Sequence, residues 1–176
     1  DLIAAWGNAA AEKRLVLAAA EAAGREGTGP VRWAGWLPAA PAVRYFTGAP
    51  SLGSYYWENR AGVEAECRFF ADAPAGKDAL AVAEARGLTH LACFRSPGPA
   101  FLYDSCRHAS FDTRRAARSL GGELAKPEPE TASWLVPDSE WDRSVAGGVL
   151  QGPDGKLTAY PAQWKLVRLR PEEAVR

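Results

Sequence analysis

Asp78-Ala-Leu-Ala-Val-Ala-Glu-Ala-Arg-Gly-Leu-Thr-His-Leu-Ala-Cys-Phe94 is the stretch whose reading decides the fold. Asp78 suits a helix N-cap, Ala79 to Arg86 are strong helix formers, and Gly87 stands where a left-handed C-terminal cap belongs. Thr89 to Phe94 then has the continuous apolar character of a buried strand. Helix, glycine, apolar strand is the local signature of an α/β layer.

Upstream, Asn8 followed by Ala9 to Ala23 predicts a capped helix closed by Gly24, with Ala11, Leu15, Ala18 or Ala19, and Ala22 on its packing face. A polar connector over residues 24–30 leads into Val31-Arg-Trp-Ala-Gly-Trp36, a predicted strand ended by Pro38 and Pro41. Val43 to Thr47 reads as a second strand, Ser54 to Glu58 as a short extended piece, and Asn59 to Gly62 as a turn, since Asn and Gly tolerate positive φ. Val63 to Phe70 fits helix or strand, with strand preferred. Between Val43 and Asp72 the chain carries Tyr45, Phe46, Tyr55, Tyr56, Trp57, Phe69 and Phe70, punctuated by Gly48, Pro50, Gly53 and Gly62. So much aromatic area belongs to a folded surface or core, not to a solvated linker.

Downstream, Phe101 to Cys106 fits a short strand or a helical turn. Asp112 predicts the cap of a helix running to about Leu120 and stopped by Gly121-Gly122, and Lys126-Pro-Glu-Pro-Glu130 is a proline-stiffened connector. Gly147 to Leu150 and Lys156 to Tyr160 predict a hairpin around Gly152-Pro-Asp-Gly155, and Trp164 to Leu169 a closing strand. The sum is one α/β domain over residues 1–176, a mixed sheet of about six strands with helices packed on it. At this length roughly 70 % of the unfolded surface is buried without staples.

Twenty-one basic residues balance 21 acidic ones, so there is no positive field of the kind nucleic acid demands. The glycine clusters match neither a dinucleotide fingerprint nor a phosphate-binding loop. Cys67, Cys93 and Cys106, even with His108 added, have no zinc spacing. Neither cofactor nor metal is therefore expected. The chain contains no Met, no secretory leader pattern and no apolar run long enough to span a bilayer, and it reads as part of a longer protein.

A helix, the phrase Tyr45-Phe-Thr-Gly48, Ser54-Tyr-Tyr-Trp-Glu-Asn59, Phe69-Phe-Ala-Asp72, a short helix and Gly87-Leu-Thr-His-Leu91 together resemble the C-terminal water-soluble region of multi-spanning bacterial membrane proteins. Those proteins are similar to glycosyltransferases that use lipid-linked sugar donors. The likeness covers residues from about 30 to 95, with an echo at Trp164-Lys-Leu-Val-Arg168. It implies an extracytoplasmic setting, a membrane-embedded part of the same parent chain as partner, and carbohydrate or lipid-linked sugar as ligand. Catalytic acids of that family are expected between membrane spans, so the resemblance carries no catalytic role onto this chain. In such a setting Cys93 and Cys106 are a candidate disulfide across Pro97-Gly-Pro99, the alternative being free thiols.

Three functional expectations follow. Tyr55, Tyr56 and Trp57 with Glu58, Asn59 and Arg60 suit a sugar platform, the rings stacking on C–H faces and the polar groups hydrogen bonding; plain core packing is the competing reading of the same rings. Cys106 and His108, two apart, suggest a nucleophile and base in a self-contained enzyme if they share a strand face. A purely structural interaction module is the third. His90 within an apolar strand reads as a hydrogen-bonded core or sheet-edge histidine.

Overall fold

The computed structural model describes residues 13–14, 16–24, 30–35, 39–53, 59–94, 98–126, 131–137, 144–151 and 157–174. Residues 16–24 are helical and form α1. There follow β1 (Trp33–Gly35), α2 (Ala39–Thr47), α3 (Arg60–Ala71), α4 (Lys77–Arg86), β2 (His90–Phe94), α5 (Gly98–Arg107), α6 (Thr113–Arg118), α7 (Leu120–Leu124), β3 (Leu135–Pro137), β4 (Ser144–Gln151) and β5 (Leu157–Leu169), with a 3-10 turn at Pro171–Glu173.

The expected α/β architecture is present, with about four strands in the sheet where six were expected. Their order is β1-β2-β5-β3. β1 and β2 are parallel, and β5 lies antiparallel between β2 and β3. β4 pairs only with the first half of β5, from Gln151 opposite Leu157 to Ser144 opposite Gln163, so the expected hairpin is an arm extending the sheet.

Helices cover both faces. Ala34, Leu91, Val167, Leu135 and Leu169 join Phe69, Phe70, Val82, Tyr103, Leu120 and Leu124 in the larger core. Trp33, Ala92 and Leu166, of opposite parity along their strands, join Val16, Ala19 and Ala23 of α1 and Val43 of α2 in the smaller one. Side chains alternate across a pleated strand, and this alternation makes a three-layer sandwich.

Several segments differ from expectation for identifiable reasons. Val43 to Thr47 is helical despite its β-branched and aromatic composition, because Val43 is buried against α1 and Gly48, at φ 70°, caps α2 by donating to the Arg44 carbonyl at 3.0 Å. Val63 to Phe70 is helical as well: Gly62, Ala65 with Glu66, and Phe69 with Phe70 recur at helical spacing on the buried face of α3. α1 buries Val16, Ala19 and Ala23, and Gly24 is itself helical rather than left-handed. Gly87 is left-handed as expected, at φ 59°.

The carboxylate serving the start of α4 is not Asp78. Asp72 accepts from Ala79 N at 2.8 Å, while Asp78 lies in the first turn and receives Arg68 and Arg107. Asp112 does cap α6, accepting from Arg114 N at 2.8 Å and Arg115 N at 3.1 Å. That helix ends early, at Ser119, whose hydroxyl starts α7 by accepting from Gly122 N at 3.2 Å. Gly121 and Gly122 do not stop a helix; they sit inside α7 because the elbow is crowded. A Cβ on Gly121 would stand 3.3 Å from the Phe70 carbonyl oxygen, and one on Gly122 2.6 Å from that of Ala117.

Candidate functional site

The candidate site is built where the chain returns from α2 to the sheet. Trp33 N donates to the Pro50 carbonyl at 2.9 Å and Leu52 N to the Trp33 carbonyl at 2.8 Å, so Ser51 forms a parallel bridge with Trp33. The chain then bends at Leu52, and Gly53 after it is buried. The chain is described again at Asn59, which precedes the first residue of α3.

Beneath Gly53 lies the carboxyl of Glu66, from the middle of α3. Glu66 is fully buried. A Cβ on Gly53 would approach Glu66 Cδ to 2.6 Å and Oε2 more closely still, so the buried carboxyl would have to move. Tyr103 of α5, also fully buried, donates its hydroxyl to Glu66 Oε1 at 3.0 Å and stacks on Phe70 with ring centroids 4.8 Å apart. Among the described residues, Oε2 has no hydrogen-bond partner. Burial pushes the Glu66 carboxyl up to about 8, the Tyr103 hydrogen bond offsetting only part of the rise. Near neutrality this group is mostly a protonated acid, which avoids a buried unpaired charge.

Cys67 follows Glu66 and is buried; Cys106 is exposed on the last turn of α5, and both are free thiols. The Cys67 thiol is pushed up to about 12, chiefly by burial and then by its hydrogen bond with the Cys106 thiol. His108 lies just beyond α5. Its Nε2 is 3.9 Å from Oδ1 of Asp104, a buried carboxylate gripped by Arg115 through Nε at 2.6 Å and Nη2 at 3.0 Å. Those hydrogen bonds, with one from Asp112 N, hold the Asp104 carboxyl below its usual range. Because Cys106 ends a helix and not a strand, the two-residue spacing does not put it on one face with His108. The thiol meets Cys67 while the imidazole faces Asp104.

The other expected site residues fall as follows. Tyr55, Tyr56, Trp57 and Glu58 lie outside the described residues, as does the Cys93 side chain. Asn59 is half-buried with its carboxamide over Gly62, and Arg60 is exposed, paired with Glu64 at 2.7 Å. Of the described rings in the aromatic stretch, Phe69 and Phe70 are core, Phe46 is half-buried, and Tyr45 is 82 % exposed. Glu66 and Tyr103 were not among the residues expected from the sequence, and Gly53 was read only as punctuation between the rings. An acid at the center of a helical apolar stripe was the available signal.

Among the described residues, further clefts flank the fold. His90 and Arg168, paired in register across β2 and β5, line one of about 530 Å³ together with Glu84, Arg170 and Glu172. Arg114, Arg115 and Arg118 line another of about 360 Å³ beside Asp112 and Ser119. Among the described residues no three His, Cys, Asp or Glu side chains gather as a metal site, and no helix is long and apolar enough to cross a membrane. No protein-family model, curated protein or solved structure matches the chain.

Proposed function

We propose that the chain is a non-catalytic, carbohydrate-recognising domain of an extracytoplasmic membrane protein of the glycosyltransferase-like kind, working beside the membrane-embedded part of its parent chain on a glycan or lipid-linked sugar. The observation that carries this reading is the parallel bridge between Ser51 and Trp33. Being parallel, it sends the chain past Trp33 toward the carboxyl end of the parallel strands, where open α/β sheets collect ligands, with Gly53 two residues short of Tyr55-Tyr-Trp-Glu58 in the sequence. Asn59 and Arg60 then follow at the start of α3, with polar groups near the surface. Support also comes from Glu66, a neutral buried acid that lets the root of the aromatic stretch pack closely without a charge beneath it.

The test is tryptophan fluorescence of the intact chain titrated with an oligosaccharide panel and with a polyprenyl-phosphate-linked sugar. Saturable change with at least one ligand is expected, lost in Trp57→Ala and weakened in Arg60→Ala, with far-UV circular dichroism unchanged. Silence toward every ligand, or an equal response from Trp57→Ala, would sink the reading.

A further inference from the structure

Independently of that reading, α3 and α5 bring two cysteines together. Tyr103 meets both Glu66, through its hydroxyl, and Phe70, through its ring. A Cβ on Gly121 would lie within 3.3 Å of the Phe70 carbonyl oxygen and 3.5 Å of Ala100 Cα, so Phe70 also lies near the start of α5. The helices therefore run antiparallel, with residue numbers falling along α3 as they rise along α5. One turn beyond Tyr103 comes Cys106, and one turn before Phe70 comes Cys67. Beside them Arg68 and Arg107 both reach Asp78 of α4, fixing the same register from the flank. The Cys106 thiol lies close enough to help push up that of Cys67.

We infer that Cys67 and Cys106 are a redox pair that closes into a disulfide joining α3 to α5, opened to oxidants through Cys106, the exposed residue of the two. The oxidant is a low-molecular-weight disulfide. The Cys106 thiolate attacks one of its sulfurs, forming a mixed disulfide and expelling one small thiolate, which takes up the Cys106 proton. The Cys67 thiolate then attacks the Cys106 sulfur, expelling the second small thiolate, which takes up the Cys67 proton. Two protein thiols are oxidised and one small disulfide is reduced to two thiols. Burial protects Cys67 from direct attack and keeps it protonated, so the second step is the slow one and the mixed disulfide on Cys106 accumulates first. Cys93 takes no part.

The three cysteines fall in three tryptic peptides, Ala61 to Arg68, Gly87 to Arg95 and Ser96 to Arg107, which makes the test direct. The reduced intact chain is incubated with glutathione disulfide, quenched by alkylation, digested and read by mass spectrometry. The expected product links Ala61–Arg68 to Ser96–Arg107 with Cys93 alkylated, and Cys93→Ser gives the same link. Cys67→Ser should stop at glutathionylated Cys106, and Cys106→Ser should leave Cys67 alkylatable only after unfolding. A link from Ser96–Arg107 to Gly87–Arg95, or three alkylated cysteines after prolonged exposure of a chain whose circular dichroism is native, would overturn the inference.

Discussion

Gly53 and Glu66 occupy one another's space: the missing side chain of the first is filled by the carboxyl of the second. Gly53→Ala should therefore destabilise the fold by about 2 kcal/mol through overpacking. In a Glu66→Ala background the same change should cost close to nothing. Urea unfolding of the four-member cycle checks this, and additive penalties would mean that the two sites are not in contact.

Glu66 also sets a pH dependence. Its folded value of about 8 stands above the ordinary 4.5, so the folded chain binds the extra proton between those values. The stability it supports is complete below about 4.5 and is lost as pH rises toward 8, at on the order of 1 kcal/mol per pH unit. Glu66→Gln keeps an acceptor for the Tyr103 hydroxyl and removes the titration. It should flatten the stability profile over this window and exceed the wild type near pH 8, by chemical denaturation at a series of pH values. Tyr103→Phe removes the hydrogen bond that favours the carboxylate, and should move the Glu66 titration further up by carboxyl carbon NMR.

Asp104 has the opposite sign. Arg115 holds its carboxyl below the ordinary 3.8, so its contribution is present above that value and is lost as pH falls through the folded pKa. Asp104→Asn deprives Arg115 of a buried charged acceptor and should cost on the order of 2 kcal/mol near neutrality. The mutant's acid-unfolding limb should be shallower, as circular dichroism at stepped pH would show.

The elbow between α6 and α7 depends on Gly122, where a Cβ would run into the carbonyl oxygens of Ala116 and Ala117. Gly122→Ala should cost about 2 kcal/mol and loosen the Ser119 cap. Hydrogen exchange should report faster opening at the Leu120 and Gly122 amides, with β2 unaffected.

What could be read from residues alone was local and punctuated. Gly87 and the strand after it were legible because the left-handed cap and the apolar run are neighbours in sequence. The Asp112 cap was legible for the same reason. Val43 to Thr47 was not, because its strand-forming composition is overridden by packing against α1, which lies earlier in the chain across β1. Val63 to Phe70 was obscured by Glu66, a polar residue on the very face that the helix buries. The site was hidden for a related reason: Gly53, Glu66 and Tyr103 lie far apart along the chain and belong together only once α3 has crossed over the sheet. The Cys106 and His108 pairing dissolved for a simpler cause, since a period of two has meaning on a strand and none on a helix.

The bridge at Ser51 has one more effect, on the fate of the molecule at high concentration. It occupies hydrogen-bonding groups along the outer side of β1, while at the other margin β3 is three residues long and ends in Pro137, which has no amide proton to donate. Both rims of the central sheet are thereby poor templates for a strand from a neighbouring copy. That protection belongs to the central strands and does not extend to the β4 arm, which among the described residues pairs only with β5.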